Sequence, residues 1–189
     1  MSSIIKVDQI QNTAGGTPTA ADLGLDVTGS ILQVKSSYLN FTQTTSTSWA
    51  DVTNLSVNIT PKSASSTFLI HVTFGALNSW GAGRERTASM RILRNGGELP
   101  IKPATDGSRR GVMARTGSGE SDGNHPRPAS FSVVDSPATT SQITYKVQVQ
   151  GEFGASSTVY INRSVNYTDT SDTYGDRTIS TITVYEIAG

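Results

Sequence analysis

Between Thr67 and Leu77 apolar and polar residues alternate with a period of two. Phe68, Ile70, Val72, Phe74 and Ala76 fall on one side, and Leu69, His71, Thr73, Gly75 and Leu77 on the other. That period predicts a β-strand, because a helix would bring its apolar residues together at spacings of three and four. The first face reads as core. The second keeps Leu69 and Leu77 beside a histidine and a threonine, so it calls for a cover, either a second sheet or a neighbouring chain.

The rest of the chain from Ile31 onward repeats strand, turn, strand. Ile31 to Val34 and Trp49 to Ile59 are strand candidates, the latter ended by Pro61, and Ala88 to Leu93 follows. Asn95-Gly96-Gly97 is a hairpin signal, since Asn and Gly accept the positive φ of a tight turn, and Glu98 to Ile101 would return from it. Ala129 to Val134, Gln142 to Gln150, Thr158 to Ile161 and Ile179 to Ile187 complete the set. In the last, Ile179, Thr181, Thr183, Tyr185 and Ile187 share one face and Ile182 and Val184 the other, which predicts a central strand buried on both sides. Pro103 to Pro128 is rich in Gly and Asp with little apolar content, and predicts a long loop. About eight strands and no convincing helix predict an all-β fold, an antiparallel β-sandwich or barrel.

Residues 1 to 30 differ in texture. Ile4, Ile5, Val7 and Ile10 form a small apolar cluster, followed by a Gly- and Thr-rich stretch, with one helical turn expected from Thr19 to Leu23. Four such side chains at about 1.5–3 kcal/mol each do not offset the ordering of ten residues at about 1–2 kcal/mol each. The segment therefore reads as an arm, ordered only against a partner, with Leu23 as a further apolar contact. The chain divides into this arm, 1–30, and a sandwich, 31–189.

Composition narrows the classes of function. Of 189 residues, 35% are hydrophobic and 16% charged, with Ser, Thr, Asn and Gly making up the balance. The formal net charge is zero, which leaves no electrostatic footprint for nucleic acid. There is no cysteine, so disulfides, thiolate metal sites and thiol nucleophiles fall away together. No apolar run approaches the roughly 20 residues of a membrane span, and the amino end lacks the pattern of a secretory signal, so synthesis in a cytosol is expected.

Candidate chemistry is sparse. His71 lies mid-strand and reads as a hydrogen-bonded residue of a packed or intersubunit surface, and His125 as a loop residue. Neither accompanies a Ser-Gly elbow, so a catalytic triad is not supported. Asp169, Asp172 and Asp176 lack the alternation of a calcium loop, and no metal or other cofactor is expected. Carboxylate pairs such as Glu120 with Asp122, or Asp135 with Glu152, do not stand out as a glycosidase pair. Arg84, Arg86, Arg91, Arg94, Arg109, Arg110 and Arg115 concentrate positive charge. They read as surface charge balanced by Glu85, Glu98 and Asp106, with recognition of an anionic sugar or of an acidic neighbouring subunit as the functional alternative. No catalytic residue is assigned, and the chain is not expected to be an enzyme.

Two stretches carry a resemblance. Ser3-Ile4-Ile5-Lys6-Val7-Asp8-Gln9-Ile10-Gln11-Asn12 with Gly15 to Gly24 resembles the amino-terminal arm of small fibre-like structural proteins of marine and cyanobacterial tailed phages. Arg91 to Gly96, Pro128 to Ser132, Asp135-Ser136-Pro137 and Thr144 to Val149 resemble strands and turns of the knob in such proteins. The resemblance implies a virion protein, a homotrimer with a jelly-roll-like knob, whose arm (Ile4, Ile5, Val7, Ile10, Leu23) docks on another virion protein. Leu69, His71, Leu77 and Val184 are the expected trimer contacts. Trp80, Arg109, Arg110, His125 and Tyr174 are the candidates for contact with host surface glycan. A capsid decoration protein that binds no host is the alternative within the structural class, and a polysaccharide depolymerase the alternative from another.

Overall fold

The computed structural model describes residues 11, 15–18, 23, 28–45, 48–81, 84–117, 125–151, 157–166 and 176–189. The apolar cluster Ile4, Ile5, Val7 and Ile10, the helical turn before Leu23, and Tyr174 lie outside them, and Leu23 is exposed. The described residues form strands β1 (Ile31–Leu39), β2 (Gln43–Thr45), β3 (Ala50–Ile59), β4 (Thr67–Gly81), β5 (Arg84–Arg86) and β6 (Ala88–Arg94). After these come β7 (Gly97–Glu98), β8 (Ala114–Thr116), β9 (Arg127–Asp135), β10 (Ile143–Gln150), β11 (Thr158–Ile161) and β12 (Ser180–Ile187), with no helix among the described residues.

Two antiparallel sheets face each other. One has seven strands, ordered β1-β12-β4-β11-β2, with β5 and β9 also on β4; the other has five, ordered β3-β10-β6-β7, with β8 also on β6. The chain passes back and forth between the sheets in a jelly-roll-like manner, so each layer mixes strands from both halves of the sequence. The fold is the all-β antiparallel sandwich that the alternation predicts.

β4 is the member around which the larger sheet is built. At fifteen residues it is long enough to serve two sets of neighbours in succession. Its first half lies between β12 and β9, and its second half between β11 and β5. The inward side chains Phe68, Ile70, Val72 and Phe74 are fully buried. They meet Ile182 and Val184 of β12 and, from the opposite layer, Val57 and Ile59 of β3, Tyr145 and Val147 of β10, and Met90 and Ile92 of β6 in one core cluster. The Phe68 and Tyr145 rings join the layers, with centroids 6.0 Å apart and a tilt of 46°.

The two carboxylates that border this core, Asp135 and Glu186, are paired. Asp135, at the end of β9, accepts from Arg94 Nη1 at 2.8 and 2.9 Å and from the Tyr145 hydroxyl at 2.7 Å. Burial, and then the Asp135 carboxylate, push the Tyr145 hydroxyl pKa far up, so the phenol stays a donor. Glu186 is shut off from solvent on the inward face of β12 and accepts from the backbone N–H of Lys62 at 2.6 Å and from Gln33 Nε2. Burial raises its pKa, but these hydrogen bonds outweigh burial and leave it below the usual carboxylate range.

Several expectations are corrected. The final strand is central, between β1 and β4, but buried on one side only: Ser180, Ile182, Val184 and Glu186 face the core, whereas Thr181, Thr183, Tyr185 and Ile187 are half-buried on a face that no second sheet covers among the described residues. Ile179 precedes the strand and is 56% exposed. The stretch from Pro103 to Pro128 is not all loop, since β8 pairs with β6 through Met90 to Ala114, and Asp106 bridges Arg109. The strand expected from Glu98 to Ile101 shrinks to the two residues of β7, and Ile101 is exposed. The hairpin turn forms as expected, with φ of 50° at Asn95 and 85° at Gly96. The β1–β12 ladder continues past Ile31, for Gly29 donates to Ala188 and Ala188 to Ser30, each at 2.8 Å.

Candidate recognition surfaces

Two surfaces gather the residues that sequence singles out. The first is the outward face of the larger sheet. In the ladders, residues directly opposite share a side, so the pairings of β1, β12, β4 and β9 set side chains in rows across four strands. Val34, Tyr185, Leu69 and Val134 make one row; Ser36, Thr183, His71 and Ser132 the next; Tyr38, Thr181, Thr73 and Ser130 a third. Ile31, Ile187 and Thr67 flank the apolar row at one end.

His71 is held on this face by both ring nitrogens: Nδ1 lies 2.8 Å from the Ser132 hydroxyl and Nε2 lies 3.1 Å from that of Thr73. Leu69 is half-buried beside it. Of the expected intersubunit contacts, these two stand on the outward face. Leu77 and Val184 do not. Both are 2% exposed or less within the chain's own core, because β4 shifts register between Phe74 and Leu77 and turns Leu77 inward, while Val184 lies on the core side of β12. They are unavailable to a sister chain.

The second surface is a shallow recess at the far end of β4, lined by Leu77, Asn78, Arg86, Thr116, Gly117, His125 and Arg127. Four strands build it: β4 gives Asn78, β5 Arg86, β8 Thr116 and β9 Arg127. Arg86 Nε donates to the Gly81 carbonyl at 3.1 Å, which fixes the guanidinium at the rim. Two arginines and an imidazole give this recess a basic lining, and Asn78, Arg86, His125 and Arg127 each already have a partner within the chain.

Of the residues expected to meet host glycan, Tyr174 lies outside the described residues, and among the described ones only His125 lines the recess. Trp80, half-buried near the end of β4, pairs with Thr158 and Glu85. Arg109 is exposed in a tight turn with its ion partner Asp106 at 3.1 Å, and Arg110 Nη1 donates to Gln150 Oε1 at 2.8 Å. Arg91 and Arg94 are structural: Arg91 pairs with Glu98 at 3.1 Å and stacks 4.3 Å from the Trp49 ring centroid, and Arg94 holds Asp135. Arg127 and Asn78 carry no sequence signal for the recess, because four separate strands contribute to it.

Compared with known proteins, the chain matches no family model and no curated protein. Among solved structures it is similar to the infectious bursal disease virus VP2 subviral particle, with 12% identity and a TM-score of 0.33 over 85% of this chain and 39% of that one. It is also similar to infectious bursal disease virus Gx strain, with 14% identity and a TM-score of 0.29 over 83% of this chain and 37% of that one. The chain spans less than two-fifths of either, and likenesses of this degree carry no argument about its function. The reading rests on the surfaces themselves.

Proposed function

We propose that the chain is a phage virion structural protein: a homotrimeric fibre or knob, anchored through its amino-terminal arm, that meets the host surface at the recess end of β4. The observation that carries this is where the described sandwich begins, at Gly29. From there to Ala188 the described chain closes on itself as a sandwich, with a described core running from Leu39 to Val184. Ahead of it stand the residues whose wording resembles a phage fibre arm, with an apolar cluster of its own. An arm joined to a sandwich suits a part that docks by one end and presents the other. The positive charge of Arg86 and Arg127 at that end suits an acidic sugar of the host surface. No catalysis enters this reading.

Immunogold labelling of purified phage particles, with antibody raised to residues 29–189, tests the assignment. Label on tails or fibres is the expected result. Label on heads alone would replace the fibre by a decoration protein, and particles without label would end the virion reading.

A further inference from the structure

Across β1, β12, β4 and β9 the outward face of the larger sheet is apolar in one row, and its rows there are free of formal charge. No Asp, Glu, Lys or Arg occurs in the rows that run from Ile31, Ile187 and Thr67 to Tyr38, Thr181, Thr73 and Ser130. An ordinary protein surface is about 25–35% charged. Loss of charge together with exposed aliphatic and tyrosine side chains is the compositional mark of an interface core. Within the apolar row the exposure is uneven: Val34 at one edge of the sheet is 47% exposed and Val134 at the other 52%, while Leu69 and Tyr185 between them are half-buried.

We infer that this face is the contact between copies of the chain, arranged so that the β1 edge of one copy meets the β9 edge of the next around a threefold axis. The inference rests on the proposed self-association and says where it occurs. The occupant follows from the chemistry of the face. A nucleic acid or an acidic glycan would find no counter-charge there. A second copy finds no repulsion, and Ser and Thr hydroxyls, which both donate and accept, match their own kind. A closed ring needs two different patches that fit each other, one on each side of the subunit, and Val34 and Val134 supply an apolar patch at each edge. Four strands at about 4.8 Å and about seven residues at about 3.3 Å give a face of roughly 19 by 23 Å. That falls short of the about 800 Å² per partner of a standard interface, which suits the central part of a contact completed by neighbouring loops.

Light scattering on the full chain and its variants decides the matter, with circular dichroism as the check on folding. The unsubstituted chain is expected at three times its mass of 20.0 kDa. Val34→Asp and Val134→Lys should each lower the mass threefold with the β spectrum unchanged, whereas Thr140→Lys, at an exposed position in the turn after β9, should stay trimeric. Combining Val34→Asp with Val134→Lys in one chain should restore the trimer, because the Asp of one copy then meets the Lys of the next. Single variants that remain trimeric would overturn the face while leaving self-association standing. A folded double variant that stays monomeric would overturn the edge-to-edge pairing, and an unsubstituted chain of 20.0 kDa at its highest soluble concentration would overturn both the face and the trimer.

Discussion

Glu186 shows how one side chain couples this fold to pH. Its carboxylate is inaccessible to solvent and takes hydrogen bonds from Lys62 N–H and Gln33, which tie the end of β12 to β1 and to the turn after β3. Its pKa in the folded chain is depressed, so its contribution to stability is complete above the unfolded value of about 4.3 and is lost as pH falls through the folded value. Asp51 acts in the same direction, held down by Gln148 and then by Lys146, at 2.8 and 2.9 Å. Urea midpoints should therefore be level from pH 7 to about 5 and drop below about 4. Glu186→Gln should lower the midpoint at pH 7, at a cost of about 1–3 kcal/mol, because the new amide turns an N–H toward a donor already there. It should also flatten the acid drop. An acid profile identical to that of the unsubstituted chain would mean that Glu186 does not carry it.

Among the elements, the junction after β11 holds most strands at once. Asn162 sits there with φ of 60° and no exposure. Its Nδ2 donates to the carbonyls of Leu39 and Phe41 at 2.9 and 3.2 Å, its Oδ1 accepts from Ser180 at 2.6 Å, and its backbone N–H reaches Ala76 at 2.8 Å. The ends of β1 and β11, the start of β12 and the middle of β4 are thus fastened by one residue. Asn162→Ala should cost about 3 kcal/mol or more, since it strands buried partners and places alanine at a positive φ. Asn162→Gly, which relieves only the backbone, should recover about 1 kcal/mol of that in chemical denaturation. Equal losses for the two would show that backbone conformation is not part of the role.

This junction also shows what sequence leaves unread. β4, β10 and β12 are legible because one side of each meets a core and the alternation records it. β2, β5 and β8 read Gln-Thr-Thr, Arg-Glu-Arg and Ala-Arg-Thr, three residues each with no alternation, and are strands only because β11, β4 and β6 offer an edge. Glu186 and Asn162 escape notice because a buried polar residue announces itself by its partners, which lie up to 153 residues away. His71 and Leu69 are legible as members of a mixed face, but the charge-free surface across four strands is not, since it depends on the register among β1, β12, β4 and β9.

For the whole molecule, the question is where the cooperative unit begins. The described core starts at Leu39, yet the β1–β12 ladder reaches back to the Gly29 and Ala188 pair. Residues 29–189 should therefore fold alone and melt within a few degrees of the full chain, because all described core contacts are kept. Cutting further, to Gln33, removes the Gly29–Ala188 and Ala188–Ser30 bonds together with Ile31. Each hydrogen bond is worth about 0.5–1.5 kcal/mol, so this shorter chain should be less stable by about 1–3 kcal/mol. Thermal melts of the three lengths, followed by circular dichroism, separate the cases. If residues 29–189 melt far below the full chain, the first 28 residues belong to the sandwich, and an arm that is free to dock elsewhere is lost with that result. If the drop comes only at the second cut, the boundary is the ladder end at Gly29, and everything ahead of it is left available for anchoring.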